Sequence, residues 1–224
     1  MAAEPRLLDA QGRPVRRQGL TREIAEPGLT GVRHPWGGTV ASGLTPSRLA
    51  TLLQACDQGE INDYVTLAEE MEERDPHYSA VLGVRKRAVS GVAPAVTAAA
   101  EDAAAERIAQ AVRERIAQHP GFPDLVEDMM DAVGKGFSVI EVVWARDGRA
   151  WWPGRFEWRS QRHFRFDRET LSELRLRDMA APAEGLPLEP YKFVAHVARL
   201  KSGLPARGGL ARVVAFAWMC KAYA

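Results

Sequence analysis

The sequence predicts an α+β fold, with helices first and a mostly antiparallel sheet after them. Three observations carry that prediction. Between Pro46 and Gly134, apolar residues recur at helical spacing. After Gly136 the period shortens to two, and β-branched and aromatic residues dominate. Asp147-Gly148 then sets a tight-turn dipeptide between two such runs, which reads as a hairpin.

In chain order, residues 1–45 are rich in Gly, Pro and Arg, with turn signals at Glu26-Pro27-Gly28, His34-Pro35-Trp36-Gly37-Gly38 and Thr45-Pro46. They read as an extended arm with little core of its own, of the kind that lies on a neighbouring subunit, or else as a partly disordered terminus. Thr45-Pro46 opens a helix whose inner residues are Leu49, Leu52 and Leu53, and Gly59 ends it. A second helix fits 62–74, with Tyr64, Leu67, Ala68 and Met71 inward and the cluster from Glu69 to Glu73 as its wet face. A third fits 76–90, with Tyr78, Val81, Leu82 and Val89 inward and Arg85-Lys86-Arg87 largely outward. Val92 to Ala98 reads as a short strand. A helix follows over 102–118, on Ala105, Ile108, Ala109, Val112 and Ile116. Residues 122–134 form one amphipathic helix on Phe122, Leu125, Val126, Met129, Met130 and Val133.

Strands are expected at Phe137 to Trp144 and Ala150 to Trp158. Edge or half-buried strands are expected at His163 to Phe166 and Glu173 to Leu176, and a further strand at Lys192 to Leu200. Residues 178–190 read as a loop. The last helix starts at Leu210 and stops at Ala224 in an apolar stretch with no cap, so the chain is expected to be a fragment of a longer protein. The expected organisation is an arm over 1–45, an α+β domain over 46–205 and the start of a further helix over 206–224.

Composition narrows the function classes. Thirty Lys and Arg against 29 Asp and Glu leave a formal charge of +1, without the basic excess that phosphate contacts demand of a dedicated DNA-binding domain. The basic residues are mostly Arg, with Lys only at 86, 135, 192, 201 and 221. Cys56 and Cys220 match no metal spacing and read as reduced thiols of a cytosolic protein. The first twenty residues are Arg-bearing without an apolar run, unlike a signal peptide, and no stretch approaches a membrane span.

No phosphate loop, nucleophile elbow or H-E-x-x-H pattern is present, and Gly134-Lys135-Gly136 is only a tight turn. His34, His77, His119, His163 and His196 are scattered, the first three beside a proline. Glu141 shares a strand face with Phe137, Val139 and Val143. A carboxylate there is either a tuned acid or base or half of a structural ion pair, and Arg155, Arg162 or Arg165 is the expected partner for the pair. Glu127, Asp128 and Asp131 read as the solvated face of their helix rather than as a metal site. Arg85, Lys86 and Arg87 read as a solvated face or as contacts to a neighbouring subunit or to DNA. Trp144, Trp151, Trp152, Phe156, Trp158, Phe164 and Phe166 suit core or subunit packing better than base stacking. No catalytic, cofactor or metal residues are assigned.

Five stretches in order resemble the portal proteins of Mu-like phages and prophages. They are Asp75-Pro76-His77 with Val81 to Val89; Ala132 to Trp144; Phe164 to Asp167 with Leu174 to Leu176; Gly185 to Phe193 with His196; and Gly203 to Arg212 with Trp218 and Lys221. The resemblance implies a structural subunit, not an enzyme. It implies a homo-oligomeric ring, usually of about twelve copies, at one capsid vertex in the virion, assembled in the bacterial cytoplasm. The implied partners are capsid and scaffold proteins, the packaging terminase, tail or neck proteins, and double-stranded DNA in the tunnel, with no membrane. It further implies that the chain is the wing plus the start of a stem helix. Two rival readings stand beside it. One is a metal-dependent phage nuclease or hydrolase, built on Glu141 with Glu127, Asp128 or His196 converging in one pocket. The other is a nucleic-acid-binding module on Arg85 to Arg87 and the aromatic strands.

Overall fold

The computed structural model describes residues 7–25, 39–148 and 150–223. The turn signals at 26–28 and 34–38 lie outside them. Helices α1 (Pro46–Asp57), α2 (Asn62–Arg74) and α3 (Pro76–Ser90) come first. Sequence chemistry sets their starts. Thr45 Oγ1 accepts from the Arg48 amide at 3.2 Å ahead of Pro46, and Asp75 accepts from the His77 and Tyr78 amides at 3.0 and 3.1 Å ahead of Pro76. After α4 (Ala103–Val112), capped by Asp102, come α5 (Phe122–Met129) and the single turn α6 (Ala132–Lys135).

Two antiparallel sheets follow. The first has strand order β2-β1-β6, from β1 (Phe137–Asp147), β2 (Ala150–Arg159) and β6 (Phe193–Val197). The second has order β3-β4-β5, from β3 (Phe164–Phe166), β4 (Leu174–Leu176) and the two-residue β5 (Leu186–Pro187). The β1–β2 hairpin turns at Asp147-Gly148 with Asp147 opposite Ala150, as the dipeptide predicts. Helix α7 (Leu210–Ala222) closes the described chain. One hydrophobic cluster joins Ala25 and Leu44 to Tyr64, Met71 and Leu82, and reaches Phe137, Phe164, Ala211 and Trp218.

Two close backbone approaches hold α7 to the sheet. Gly136, at φ 101°, takes a left-handed conformation, and a Cβ there would run into Pro205 O. A Cβ at Gly209 would meet the backbone of Gly134 and Lys135. The Ala198 amide donates to Gly136 O at 3.1 Å across the same crossing. Two of the stretches that carry the resemblance, Ala132 to Trp144 and Gly203 to Arg212, therefore meet in space.

Several expectations are corrected. Val92 to Ala98 forms no strand and belongs to neither sheet. The helix expected over 102–118 ends its regular turns at Val112 and widens, the Gln118 amide reaching back five residues to Arg113 O at 2.9 Å. The helix expected over 122–134 breaks between Met129 and Ala132, where Asp131 turns inward to meet charged partners. Val81 and Val89 are 41% and 45% exposed, leaving Tyr78 and Leu82 to face the core. Phe164 and Phe166 are buried and β3 is an edge strand, in keeping with the core packing and edge position expected of them. Residues 178–190 contain β5, and the strand at Lys192 to Leu200 is limited to Phe193–Val197. The described part of the arm does have a core role: Leu20 and Ala25 are buried, and the segment lies on this chain's own sheet.

Candidate functional site

The side chains with the most unusual surroundings are buried charges, and they form two networks on either side of β1. The first centres on Asp131. Its carboxylate accepts from Lys86 Nζ at 3.0 Å, Lys135 Nζ at 2.8 Å and Gln161 Nε2 at 2.8 Å. Gln161 Nε2 also donates to Phe137 O at 2.9 Å, which ties the network to the start of β1. Lys86 approaches Glu72 at 3.7 Å, Lys135 approaches Glu69 at 3.6 Å, and Glu69 pairs with Arg162. Three cations thus meet three anions, drawn from α2, α3, α6 and the turn before β3. Burial alone pushes the Asp131 carboxyl up, but the Lys135 and Lys86 ammonium groups outweigh it and the net displacement is downward. Glu72, where desolvation dominates, is pushed up.

The expected wet face of α2 is therefore largely engaged. Glu70 is buried, accepting from the Val40 and Ala41 amides at 2.9 and 2.7 Å and pairing with Arg74 at 3.2 Å. Lys86 likewise turns inward, and only Arg85 and Arg87 of the basic tripeptide remain exposed. Asp128 is also not a freely solvated group: burial, then the neighbouring charges of Asp131, Asp124 and Glu127, push its carboxyl up to about 6.

The second network surrounds Glu141, which is wholly buried. One carboxylate oxygen accepts from the Ile24 amide at 2.6 Å and faces Lys192 Nζ at 3.3 Å. The other accepts from the Ala25 amide at 3.1 Å and from Arg159 Nε at 2.8 Å. Lys192 Nζ, also wholly buried, donates to Leu20 O at 3.0 Å, and Leu20 O accepts from the Trp144 amide at 3.0 Å. Desolvation lowers the Lys192 ammonium pKa and the adjacent Glu141 charge opposes that. Glu141 thus makes ion pairs, with Arg159 and Lys192. The three arginines expected as partners are engaged elsewhere: Arg155 with Glu23 and Glu157, Arg162 with Glu69, and Arg165 with Glu60.

The residues a metal-dependent hydrolase would need do not converge. His196 stands opposite Ser138 in the β1–β6 register, so it shares the Ser138 face and not that of Glu141. Asp128 lies on that Ser138 side too, its carbonyl accepting from Ser138 Oγ at 2.7 Å, while Glu127 accepts from Ser90 Oγ at 3.3 Å. Among the described residues, no group of three or more His, Cys, Asp or Glu is arranged to hold a metal ion. The aromatic set divides: Phe164 and Phe166 are core, whereas Trp152, Trp158 and Trp151 are half-buried with Arg115, Lys135 and Arg146 over their rings at 4.8, 5.5 and 5.9 Å. Those cations cover faces that stacked bases would need.

Sequence reasoning missed Asp131, Lys135, Gln161, Arg159 and Lys192 as network members. One signal was present. In a chain whose basic residues are mostly Arg, three of the five Lys, Lys86, Lys135 and Lys192, supply ammonium groups to these networks.

Buried charges thus hold the elements together, and Val213 and Phe216 of α7 are left outward. Residues 65–224 match the family described as the portal protein of Mu bacteriophage, and the chain belongs to that family. It is similar to the Mu-like prophage FluMu protein gp29 of Haemophilus influenzae, at 31% identity over 226 residues, covering 98% of this chain and 42% of that protein. It is similar also to the portal protein of Escherichia phage Mu, at 30% identity over 226 residues, covering 97% of this chain and 42% of that one. The chain thus spans less than half the length of these relatives.

Proposed function

We propose that this chain acts as a structural part of a phage portal ring: a subunit that repeats around one capsid vertex, where DNA enters and leaves and the tail or neck attaches. The observation that carries the reading is the family match over residues 65–224, together with relatives aligned over nearly the whole chain. In this reading the arm (1–45) and the α+β unit (46–205) form the wing, and 206–224 begins a stem. The exposed Val213 and Phe216, 77% and 60% accessible on α7, suit a helix that packs against further protein. Arg85 and Arg87 are the contacts to a neighbour or to DNA, and Lys86 supports them from beneath through Asp131. The further partners are capsid, scaffold and terminase, and the site of action is the virion vertex after assembly in the host.

Immunogold labelling of particles from an induced lysogen, with antibody against this chain, tests the location. One label per particle at a single vertex is expected; labels spread over the shell, or none on particles, would overturn the reading.

A further inference from the structure

We propose that the loop joining β6 to α7 is an oxyanion site that takes a phosphate group. The loop encloses a cavity of about 390 Å³, whose lining includes Ser172, Arg199, Lys201, Ser202, Gly203 and Gly208. That volume lies within the roughly 300–1,000 Å³ of small-ligand sites. Two cations and two hydroxyls supply its polar side chains, and no carboxylate lines it. The cavity backs onto the crossing that seats α7: a Cβ at Gly208 would stand 2.6 Å from Ala198 O. The site does not depend on the ring reading above.

The positive charge of this cavity is uncompensated. Neither Arg199 nor Lys201 makes an ion pair or a hydrogen bond with a described residue. Arginines on neighbouring elements are engaged instead: Arg175 with Glu173 and Glu184, Arg177 with Glu60, and Arg207 with Asp57. Asp167, in the turn that carries Ser172, is occupied by the Thr170, Ser172 and Glu173 amides at 2.6, 3.1 and 2.9 Å. A concave surface of one sign concentrates ions of the other. An Arg fork bonds two oxygens of an oxyanion, and a Lys ammonium adds a point charge. The backbone contributes as well. Among the described residues, the Lys201, Ser202 and Gly203 amides have no acceptor, and successive free amides form anion-binding concavities. Gly203, at φ 108°, has open space where a Cβ would stand, so an anion can approach its backbone closely. A phosphate group offers these donors more acceptor oxygens than a carboxylate does.

The test titrates the 224-residue chain with inorganic phosphate and follows backbone amide shifts by NMR. Saturable shifts centred on residues 199–204 and Ser172 are expected. Arg199→Ala with Lys201→Ala should weaken binding about tenfold or more. Removing two exposed arginines elsewhere, Arg22→Ala with Arg107→Ala, should leave it near that of the parent. No saturable shift at these residues in the unmodified chain, or equal weakening by the two double variants, overturns the site. Acetate binding as tightly as phosphate overturns it too, in favour of an acidic protein segment. A short DNA duplex added to the phosphate-bound chain separates the sources of the group, and either result keeps the site. Displacement of phosphate that depends on Arg199 and Lys201 makes a nucleic-acid strand the ligand; retention of phosphate makes it a small phosphate compound.

Discussion

At Asp131 two ammonium groups and one amide share a carboxylate that solvent hardly reaches. Removing it leaves Lys86 and Lys135 enclosed without their nearest counter-charge, and breaking such a buried pair costs roughly 3–5 kcal/mol. Asp131→Ala is therefore expected to lower the urea midpoint sharply, while exposed Arg85→Ala stays within about 0.5 kcal/mol of the parent. Equal effects of the two would contradict the network. Asp128 gives a pH-dependent counterpart. Its pKa rises from 3.8 to about 6 in the fold, so the folded protein holds that proton more tightly than the unfolded chain does. Stability is therefore lost as pH rises from about 4 through 6, and the penalty is complete above that. Asp128→Asn is expected to raise the melting temperature at pH 7.5 and to leave it nearly unchanged at pH 3.5; the same shift at both would contradict the assignment. At this scale the sequence was legible for apolar residues and caps and poorly so for charges. Helical spacing reports which face a residue is on, but a carboxylate on the polar face is drawn inward only when another element brings a cation to it, and no local pattern records that.

Elements were legible where one local signal sufficed. The caps at Thr45, Asp75 and Asp102 and the hairpin dipeptide at Asp147-Gly148 set boundaries that the fold keeps. The elements that differ are those decided by tertiary partners. The apolar stripe across 122–134 is real, but the chain bends at Asp131 to meet Lys86 and Gln161. Val92 to Ala98 has strand-forming residues yet pairs with neither sheet. Trp218 is 8% exposed because α7 packs on α1, α2 and α6. The glycine crossing that seats α7 yields an element-scale prediction. Gly136→Ala combines a left-handed φ with a clash against Pro205 O, and should cost more than about 2 kcal/mol. Gly148→Ala has a positive φ but open space around it and should cost less. Denaturation curves that rank these two the other way would show that the crossing does not hold the helix.

For the whole molecule, the near-neutral chain keeps its buried charges engaged internally. Several large apolar side chains lie outward: Val213 and Phe216 on α7, and Val84, Val92 and Ile108 between α3 and α4. No helix among the described residues is long and apolar enough to cross a membrane. Exposed apolar side chains of this size are the usual mark of surfaces that meet other protein. Reversing the charge of the two exposed arginines, Arg85→Glu with Arg87→Glu, is expected to weaken assembly in a salt-dependent way while leaving the melting temperature within a few degrees of the parent. An unchanged assembly would remove those residues from the contact.

We propose that the molecule works as a repeated subunit of a closed ring. The most direct test is the mass in solution, by multi-angle light scattering with negative-stain imaging, of this chain expressed with whatever coding sequence follows it in frame. A discrete species of about a dozen subunits that images as a ring with a central channel is expected. A stable monomer at every concentration, with no ring in the images, would contradict it.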